Sequence, residues 1–195
     1  MRALKDGGVI AFPTDTVYGV GAAMSLSGRK KLLRVKKREA SRPLGAFVSS
    51  IAQAGKLTVE VSRDARKLME RLWPGWLTLV FRASAAIPDE LQYRGTIGIR
   101  IPDQSWLLSV LKRLKKPLLQ TSANLSGHPP LTSVSQIVVQ LGRKVDLIVD
   151  VGRLKARKPS TVVDVSGSQP KILRLGSVSR QRVERMLQKK VYVSR

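Results

Sequence analysis

Short apolar runs alternate with amphipathic segments along this chain, and this order restricts the fold more than any other feature of the sequence. The apolar runs are rich in β-branched residues and are bounded by Gly, Pro or polar residues, a pattern typical of buried strands. The predicted strands are VIAFP, VYGVGAA, PLGAFVS, LTLVF, TIGIRIP, PLLQT, DLIVDV, STVVDV and KILRLG.

The segments between these runs place apolar residues three or four apart among charged ones, which predicts helices with one buried face. The predicted helices are Ser27–Arg38, Ser49–Leu57, Ser62–Leu72, Trp106–Leu114, Ser133–Leu141 and Ser179–Lys189. Ser27 is the predicted N-cap of the first. Some strands follow each other directly and others are separated by helices, so we expect an α/β fold with a mixed sheet, in one domain over residues 1–195.

The composition excludes several kinds of catalytic site. The chain has no cysteine, which excludes disulfides, thiolate metal sites and cysteine nucleophiles, and its one histidine, His128, excludes a multi-histidine metal site. Its acidic residues are scattered singly except for Asp89 and Glu90, so no local carboxylate pair is available for acid–base catalysis. No apolar run reaches the roughly 20 residues that span a bilayer, and no signal peptide is recognisable, so we expect a cytoplasmic protein.

Positive charge is concentrated in three segments. The chain carries 36 Lys and Arg against 13 Asp and Glu, a net charge of +23. The first is Arg29–Arg42, in which Glu39 is the single acidic residue. The second is the tail Arg180–Arg195, in which Glu184 is the single acidic residue. The third is GRLKARKPS, which is predicted to be a basic loop. Such a charge attracts polyanions in a salt-dependent way. Nucleic acid, a nucleotide and an anionic membrane are all compatible with it, so charge alone names no partner.

Polar residues follow several predicted strands, where α/β proteins often bind ligands. The turn Pro13–Thr16 supplies two hydroxyls and a carboxylate. Lys36 and Arg38 lie at the end of a predicted helix. Lys36 could hold phosphates through its ammonium charge, and Arg38 through two parallel N–H donors. Ser122 and Asn124, in TSANLSG, offer a hydroxyl, an amide and backbone N–H groups. Each feature also has an ordinary explanation as a turn, a cap or a solvated helix end.

A second group of candidates lies on later strands. Strand alternation puts Thr96, Gly98 and Arg100 on one face of TIGIRIP, a pattern that suits a carboxylate clamp or an exposed face. Ser160 opens a strand, and Arg174 lies near the end of the next. Together the candidates supply hydroxyls, amides and arginines. This inventory favours anion binding and catalysis by positioning over proton abstraction by a carboxylate or histidine.

Seven separated segments resemble, in order and spacing, those of the Sua5/YrdC/YciO family. They are VIAFPTDTVYGVGA, Lys36-x-Arg38 followed by Pro43-Leu44, WPGWLTLVF, TIGIRIP, TSANLSG, STVVD and LRLG. The resemblance runs from about residue 7 to residue 176, and residues 177–195 form a basic C-terminal helix and tail. The chain is similar to the short single-domain YrdC form, without the additional C-terminal domain of Sua5. The resemblance implies a twisted α/β sheet with flanking helices and a basic concave face.

The resemblance also implies threonylcarbamoyl-AMP synthase activity, in which L-threonine, bicarbonate and ATP give L-threonylcarbamoyladenylate and pyrophosphate. Mg²⁺ is expected to arrive with ATP and to be held mainly by its phosphates. A separate transferase is expected to move the threonylcarbamoyl group to tRNA. Contact of tRNA or double-stranded RNA with the basic face is a further expectation, and no membrane is expected to be involved. A non-catalytic RNA-binding protein of the same fold is the alternative.

The residue roles follow from the same resemblance. The paired signature of the family, K-x-R with S-x-N, is intact, and it supplies the expected catalytic residues Lys36, Arg38, Ser122 and Asn124. The expected ATP contacts are Lys36, Arg38, Thr96, Ser122, Asn124 and Arg174. The expected threonine contacts are Thr16, Arg100 and Ser160, with Arg100 holding the carboxylate. The chain departs from forms common in the family at Arg42, Phe47 and Pro130, where Asn, His and Ser are often found.

Overall fold

The computed structural model describes residues 1–39, 41–155 and 157–194. Residues 40, 156 and 195, which belong to the three basic segments, lie outside the described residues. The strands are β1 (Ile10–Pro13), β2 (Tyr18–Ala23), β3 (Gly45–Phe47), β4 (Leu77–Arg82), β5 (Thr96–Arg100), β6 (Leu118–Ser122), β7 (Leu147–Ile148), β8 (Thr161–Asp164), β9 (Lys171–Arg174) and β10 (Tyr192–Val193). The α-helices are α1 (Arg2–Lys5), α2 (Leu26–Lys36), α3 (Ile51–Gly55), α4 (Arg63–Leu72), α5 (Ser105–Leu114), α6 (Val134–Leu141) and α7 (Arg180–Leu187).

These strands form one twisted sheet in the order β10-β9-β8-β4-β5-β3-β6-β2-β1-β7. Four neighbouring pairs, β1–β7, β3–β5, β4–β8 and β9–β10, are parallel, and the remaining pairs are antiparallel. The predicted mixed sheet is therefore confirmed. Strand alternation sends neighbouring residues to opposite faces, so that Leu118 packs with helices α1 and α5, whereas Leu119 packs with α2 and α6. A third apolar cluster joins α4 and α7 to strands β4, β5, β8 and β9.

The register of the sheet brings polar loops from distant parts of the chain together. Gly19 on β2 lies opposite Ser122 on β6, so the Pro13–Thr16 turn and the TSANLSG loop begin at the same end of neighbouring strands. On the other half of the sheet, β4 pairs with both β5 and β8. This arrangement puts the start of β8, next to Ser160, near the end of β5, where Arg100 lies.

The six predicted helices and nine predicted strands are all present, although several are shorter than predicted. The predicted N-cap Ser27 is wrong. Ser25 caps α2, because its backbone is extended and its hydroxyl accepts the backbone N–H of Gly28 at 3.0 Å, whereas Ser27 already lies in the first turn. Helix α1 and strand β10 were not predicted from the sequence, since four and two residues are too few to show a period.

The backbone at Gly176 lies so close to Pro159 and Ser160 that a side chain there has no room. A Cβ atom on this glycine would lie 2.1 Å from the backbone oxygen of Pro159 and 2.6 Å from the carbonyl carbon of Ser160. We therefore expect Gly176→Ala to lower the free energy of unfolding by about 1–3 kcal/mol, because the backbone must move to relieve the overlap. Urea denaturation measures this change.

The matched control is Gly167→Ala. A Cβ atom at Gly167 would meet nothing within 4 Å, and the residue is exposed, so its substitution is expected to change stability by less than about 0.5 kcal/mol. Equal stability of the two variants would show that the backbone at Ser160 does not depend on this close approach.

Candidate active site

Helix α2 ends at Lys36 and delivers this side chain to the end of strand β6. Lys36 is only 1% exposed, and its Nζ donates a hydrogen bond to the backbone oxygen of Ser122. Burial, and secondarily the charge of Arg38, lower the pKa of Lys36 to about 7. The helix stops because Lys37 adopts the left-handed conformation, with φ of 47°. The first half of the K-x-R signature therefore touches the first half of the S-x-N signature.

Arg38 lies just beyond this helix end and is half-buried. Its Nη2 donates to the backbone oxygen of Pro43 at 3.0 Å, whereas its buried Nε has no hydrogen-bond partner among the described residues. Burial, with a further contribution from the charge of Arg42, lowers the pKa of Arg38. A buried donor without a partner costs free energy, so an anion bound here would gain a charged hydrogen bond.

Asn124 and Ser126 present unused polar atoms in the loop that follows β6. Asn124 is 8% exposed, and its Nδ2 donates to the backbone oxygens of Leu125, at 2.9 Å, and His128, at 2.6 Å. These two bonds hold the loop against the side chain. The Oδ1 of Asn124 and the Oγ of Ser126 are both buried and have no partner among the described residues. A ligand with hydroxyl or amino donors, such as a nucleoside, would satisfy the amide oxygen.

Arg100 and Asp15 form a buried ion pair at the end of strand β5. The Nη2 of Arg100 lies 2.5 Å from Oδ1 of Asp15, and its Nε donates to the backbone oxygen of Gly75 at 2.7 Å. The backbone N–H of Asp103 donates to the other oxygen of Asp15 at 3.0 Å. Burial lowers the pKa of Arg100, Asp15 opposes this shift, and the charge of Arg174 adds to it. The guanidinium remains a cation at neutral pH.

A cleft of about 440 Å³ opens beside this ion pair. The residues that line it are Thr14, Asp15, Thr16, Trp76, Asp103, Arg153, Leu154, Lys155 and Arg157. Thr16 is buried, and its Oγ1 lies 3.0 Å from Oγ1 of Thr14. Arg157 stacks over the ring of Trp76, with Cζ 5.0 Å from the ring centroid. The cleft therefore combines hydroxyls, cations and two carboxylates, a lining that suits a small, polar, charged ligand.

Ser160 and Arg174 contact each other, although the sequence assigned them to different substrates. Arg174 Nη2 donates to the backbone oxygen of Ser160 at 2.9 Å and lies 3.3 Å from its Oγ. The Ser160 hydroxyl also lies 2.9 Å from Oγ1 of Thr78. Burial lowers the pKa of Arg174, and its charge acts on Arg100, so these residues share one electrostatic environment.

Thr96 begins strand β5. Its hydroxyl donates to the backbone oxygen of Tyr93 at 2.6 Å, a bond within the preceding turn. Of the three departures from the family pattern, Phe47 lies against the predicted threonine site, since Arg100 Cζ is 5.7 Å from its ring centroid. Arg42 and Pro130 are exposed.

Three site residues were given no role in the sequence analysis: Asp15, Trp76 and Ser126. Asp15 stood in the Pro13–Thr16 turn, and its carboxylate beside two threonines was the available signal. Trp76 has a structural explanation in the sequence, because it belongs to the turn WPGW. In the structure its buried Nε1 has no partner among the described residues, and the residue lines the cleft. Nothing in the sequence distinguished Ser126 from other polar loop residues.

Comparison with known proteins shows the family to which the chain belongs. The sequence model of the family described as "Telomere recombination", which groups Sua5, YciO and YrdC, matches residues 2–176. The chain belongs to the Sua5/YciO/YrdC family. The family expected from the separated motifs is therefore confirmed. A family relative from Bacillus subtilis, named threonylcarbamoyl-AMP synthase, is 35% identical over 190 residues, which cover 94% of this chain and 54% of the relative.

Solved structures of family members share the fold. Pyrococcus abyssi Sua5 in complex with L-threonine superposes with a TM-score of 0.93 and 30% identity, over 99% of this chain and 57% of that one. Escherichia coli YciO superposes with a TM-score of 0.85 and 26% identity, over 93% of this chain and 89% of that one. The chain thus spans about half the length of the B. subtilis and P. abyssi proteins.

The buried position of Lys36 predicts a pH-dependent affinity for ATP, provided that Lys36 contacts the phosphates as the family resemblance implies. Its pKa of about 7 in the free protein means that much of it is neutral above that pH, and a bound phosphate would favour the charged form. Binding should then take up a proton, so we expect ATP affinity to fall by up to about tenfold per pH unit between roughly pH 7.5 and 9. Calorimetric titration in buffers of different ionisation enthalpy measures both the ATP affinity and the number of protons taken up on binding.

The control variants lie on the same helix. Lys36→Met should bind ATP more weakly at neutral pH and lose this pH dependence, whereas Lys30→Met removes an exposed lysine and should retain it. An equal pH dependence in wild type and Lys36→Met would contradict the assignment.

Proposed function

We propose that this protein is a threonylcarbamoyl-AMP synthase, which makes L-threonylcarbamoyladenylate and pyrophosphate from L-threonine, bicarbonate and ATP. The observation that carries the proposal is the contact of buried Lys36 with Ser122. Next to these residues in the chain, Arg38 Nε and Asn124 Oδ1 have no hydrogen-bond partner within the part of the chain that the structure describes. These atoms offer charge for phosphates and an acceptor for a nucleoside within one small region. The synthase relative from B. subtilis and the threonine complex of P. abyssi Sua5 support the same reaction.

The proposed reaction has two steps. The ammonium of threonine and bicarbonate give a carbamate, with release of one water and one proton. A carbamate oxygen then attacks the α-phosphorus of ATP, a P–O bond forms, and pyrophosphate leaves with the electrons of the bond that breaks. Lys36 and Arg38 would hold the phosphates and offset the charge that develops on them. Because carbamate and triphosphate repel each other, much of the catalysis would consist of holding two anions in contact.

The nucleotide and threonine would bind to two neighbouring groups of residues and meet between them. Ser122 and Asn124 would hold the nucleotide, with Thr96 and Arg174 as further contacts, as the family resemblance implies. Thr16, Arg100 and Ser160 would hold threonine, with the guanidinium of Arg100 binding the carboxylate. The contact of Arg174 with Ser160 would then connect the two binding regions.

Mg²⁺ would enter this site as part of the MgATP substrate. Among the residues that the structure describes, no group of three His, Asp or Glu side chains comes together. Magnesium is commonly bound mainly by phosphate oxygens and water. The ion would supply neutralisation of phosphate charge, and the protein residues would orient the nucleotide.

We further propose that the product passes to a separate transferase that modifies tRNA, and that the protein acts in the cytoplasm. None of the described helices has both the length and the apolar character that crossing a membrane requires.

RNA contact is a second candidate function, favoured by the net charge of +23 and by the exposed cations on and beside α2. Those exposed cations are Lys30, Lys31, Arg34 and Lys37. RNA binding and synthesis are compatible, since none of these four side chains is a proposed substrate contact.

Pyrophosphate release tests the synthase directly. Wild type is expected to release pyrophosphate from ATP only when threonine and bicarbonate are both present. Arg38→Ala should reduce this rate by about a hundredfold or more, because a charged hydrogen bond to the phosphates is lost. Arg34→Ala, an exposed arginine on the same helix, is the matched control and should retain the wild-type rate. Salt-sensitive RNA binding by a wild type that releases no pyrophosphate would favour the non-catalytic alternative.

The threonine assignment of Arg100 has its own test. Arg100→Lys retains a cation beside Asp15 but removes the two-pronged geometry that suits a carboxylate. We expect the KM for threonine to rise about tenfold or more, while the KM for ATP changes by less than about twofold. Initial-rate kinetics with each substrate varied in turn give both values. An unchanged threonine KM would contradict the carboxylate assignment.

A further inference from the structure

Asp15 has no role in the reaction as proposed above, yet its carboxylate forms a buried ion pair with Arg100, the proposed threonine contact. We propose that Asp15 is a positioning residue, which orients the guanidinium of Arg100 so that its remaining N–H edge faces the carboxylate of threonine. The proposal rests on the synthase function and on Arg100 as the threonine contact. It names a specificity-determining residue that acts through its neighbour.

The Arg100–Asp15 ion pair has a restrained geometry. Arg100 and Asp15 are 85 residues apart in sequence, and their side chains are only 5% and 7% exposed. Their 2.5 Å contact is supported by the backbone N–H of Asp103, which occupies the second oxygen of Asp15. Both oxygens of the carboxylate are therefore engaged by protein donors. Asp15 cannot swing towards solvent without breaking both contacts.

Arg100 has more N–H donors than the ion pair uses. A guanidinium carries five N–H groups. Among the described residues, Gly75 accepts the one on Nε and Asp15 accepts one on Nη2. The two on Nη1 and one on Nη2 are left. One N–H from each of these two nitrogens makes up the end-on edge, which can bind a carboxylate with two parallel hydrogen bonds. The ring of Phe47 lies 5.7 Å from Cζ, so the guanidinium is restrained at its edge and on one face.

Asp15 also stabilises the charge of Arg100. Burial disfavours the charge of Arg100, and the charge of Arg174 disfavours it further. Asp15 is the carboxylate whose charge and hydrogen bond oppose both effects most strongly. The charge of Asp103 also favours the charged form of Arg100, but less than Asp15 does. Without Asp15 the guanidinium would be expected to turn towards water or another acceptor, since an unpaired buried charge is costly.

A structural role for Asp15 is the competing explanation, because the same carboxylate ties the Pro13–Thr16 turn to the backbone at Asp103. The two explanations differ in what substitution changes. A purely structural residue affects stability, or the kinetics of all substrates alike. A residue that orients Arg100 affects threonine alone and depends on Arg100 being present.

The experiment is steady-state kinetics of Asp15→Asn, with threonine and ATP varied separately. We expect the KM for threonine to rise about tenfold or more, with the KM for ATP within about twofold of wild type. The preference for L-threonine over L-threoninamide, which lacks the carboxylate, should fall by a similar factor. Asp64→Asn is the matched control, because Asp64 on α4 pairs with Lys189, which follows α7, outside the cleft. It should leave both KM values unchanged.

A double-mutant cycle with Arg100→Lys separates the two explanations. If Asp15 acts through Arg100, the double variant should be little worse for threonine than Arg100→Lys alone. Independent, multiplicative effects, or equal rises in the KM values for threonine and ATP, would overturn the proposal.

Asp15→Glu provides a second variant if Asp15→Asn does not fold. It keeps the charge but displaces it by one methylene, so a raised threonine KM with an unchanged ATP KM is again expected. An unchanged threonine KM in the variants that fold would refute the positioning role. A wild type that releases no pyrophosphate would instead refute the synthase function, so the two failures are distinguishable.

Discussion

The burial of a lysine ammonium against a backbone carbonyl organises the centre of this protein. Lys36 ends helix α2, and Ser122 ends strand β6, 86 residues further along the chain. Burying a cation is costly unless polar atoms surround it, and the Ser122 oxygen supplies only part of what the ammonium loses from water. The remaining cost makes the site receptive to a bound anion, which would restore favourable electrostatics. The same contact joins the two halves of the family signature.

Around this contact the sheet collects further polar groups in pairs. Asp15 and Arg100 form one pair, and Arg174 with Ser160 forms another. In each pair one partner constrains the other, so few side chains in the site are free to reorient. Catalysis by positioning requires such restraint, because binding energy otherwise goes into ordering the site. A reaction between two anions adds a need for cations held at fixed points, which arginines in defined hydrogen bonds provide.

Most of the fold could be predicted because its elements have clear periods. Strands β1 to β9 and the six longer helices follow from apolar runs and helical spacing in the sequence. The N-cap of α2 could not be resolved, since Ser25 and Ser27 are chemically alike and differ only in backbone conformation. Strand β10 consists of two residues and exists through its pairing with β9, which local sequence cannot encode.

The amino-acid sequence specifies the family and the kinds of residue available for catalysis. These are hydroxyls, amides, lysines and arginines in a recognisable order, without thiols and with a single imidazole. Which of these groups meet depends on the folded chain. Folding pairs Asp15 with Arg100, brings Arg174 into contact with Ser160, places Trp76 against the cleft and bonds the Thr96 hydroxyl to Tyr93. The physical reason is that residue patterns report neighbours within a few positions along the chain. Contacts across dozens of residues depend instead on sheet register and on side-chain packing.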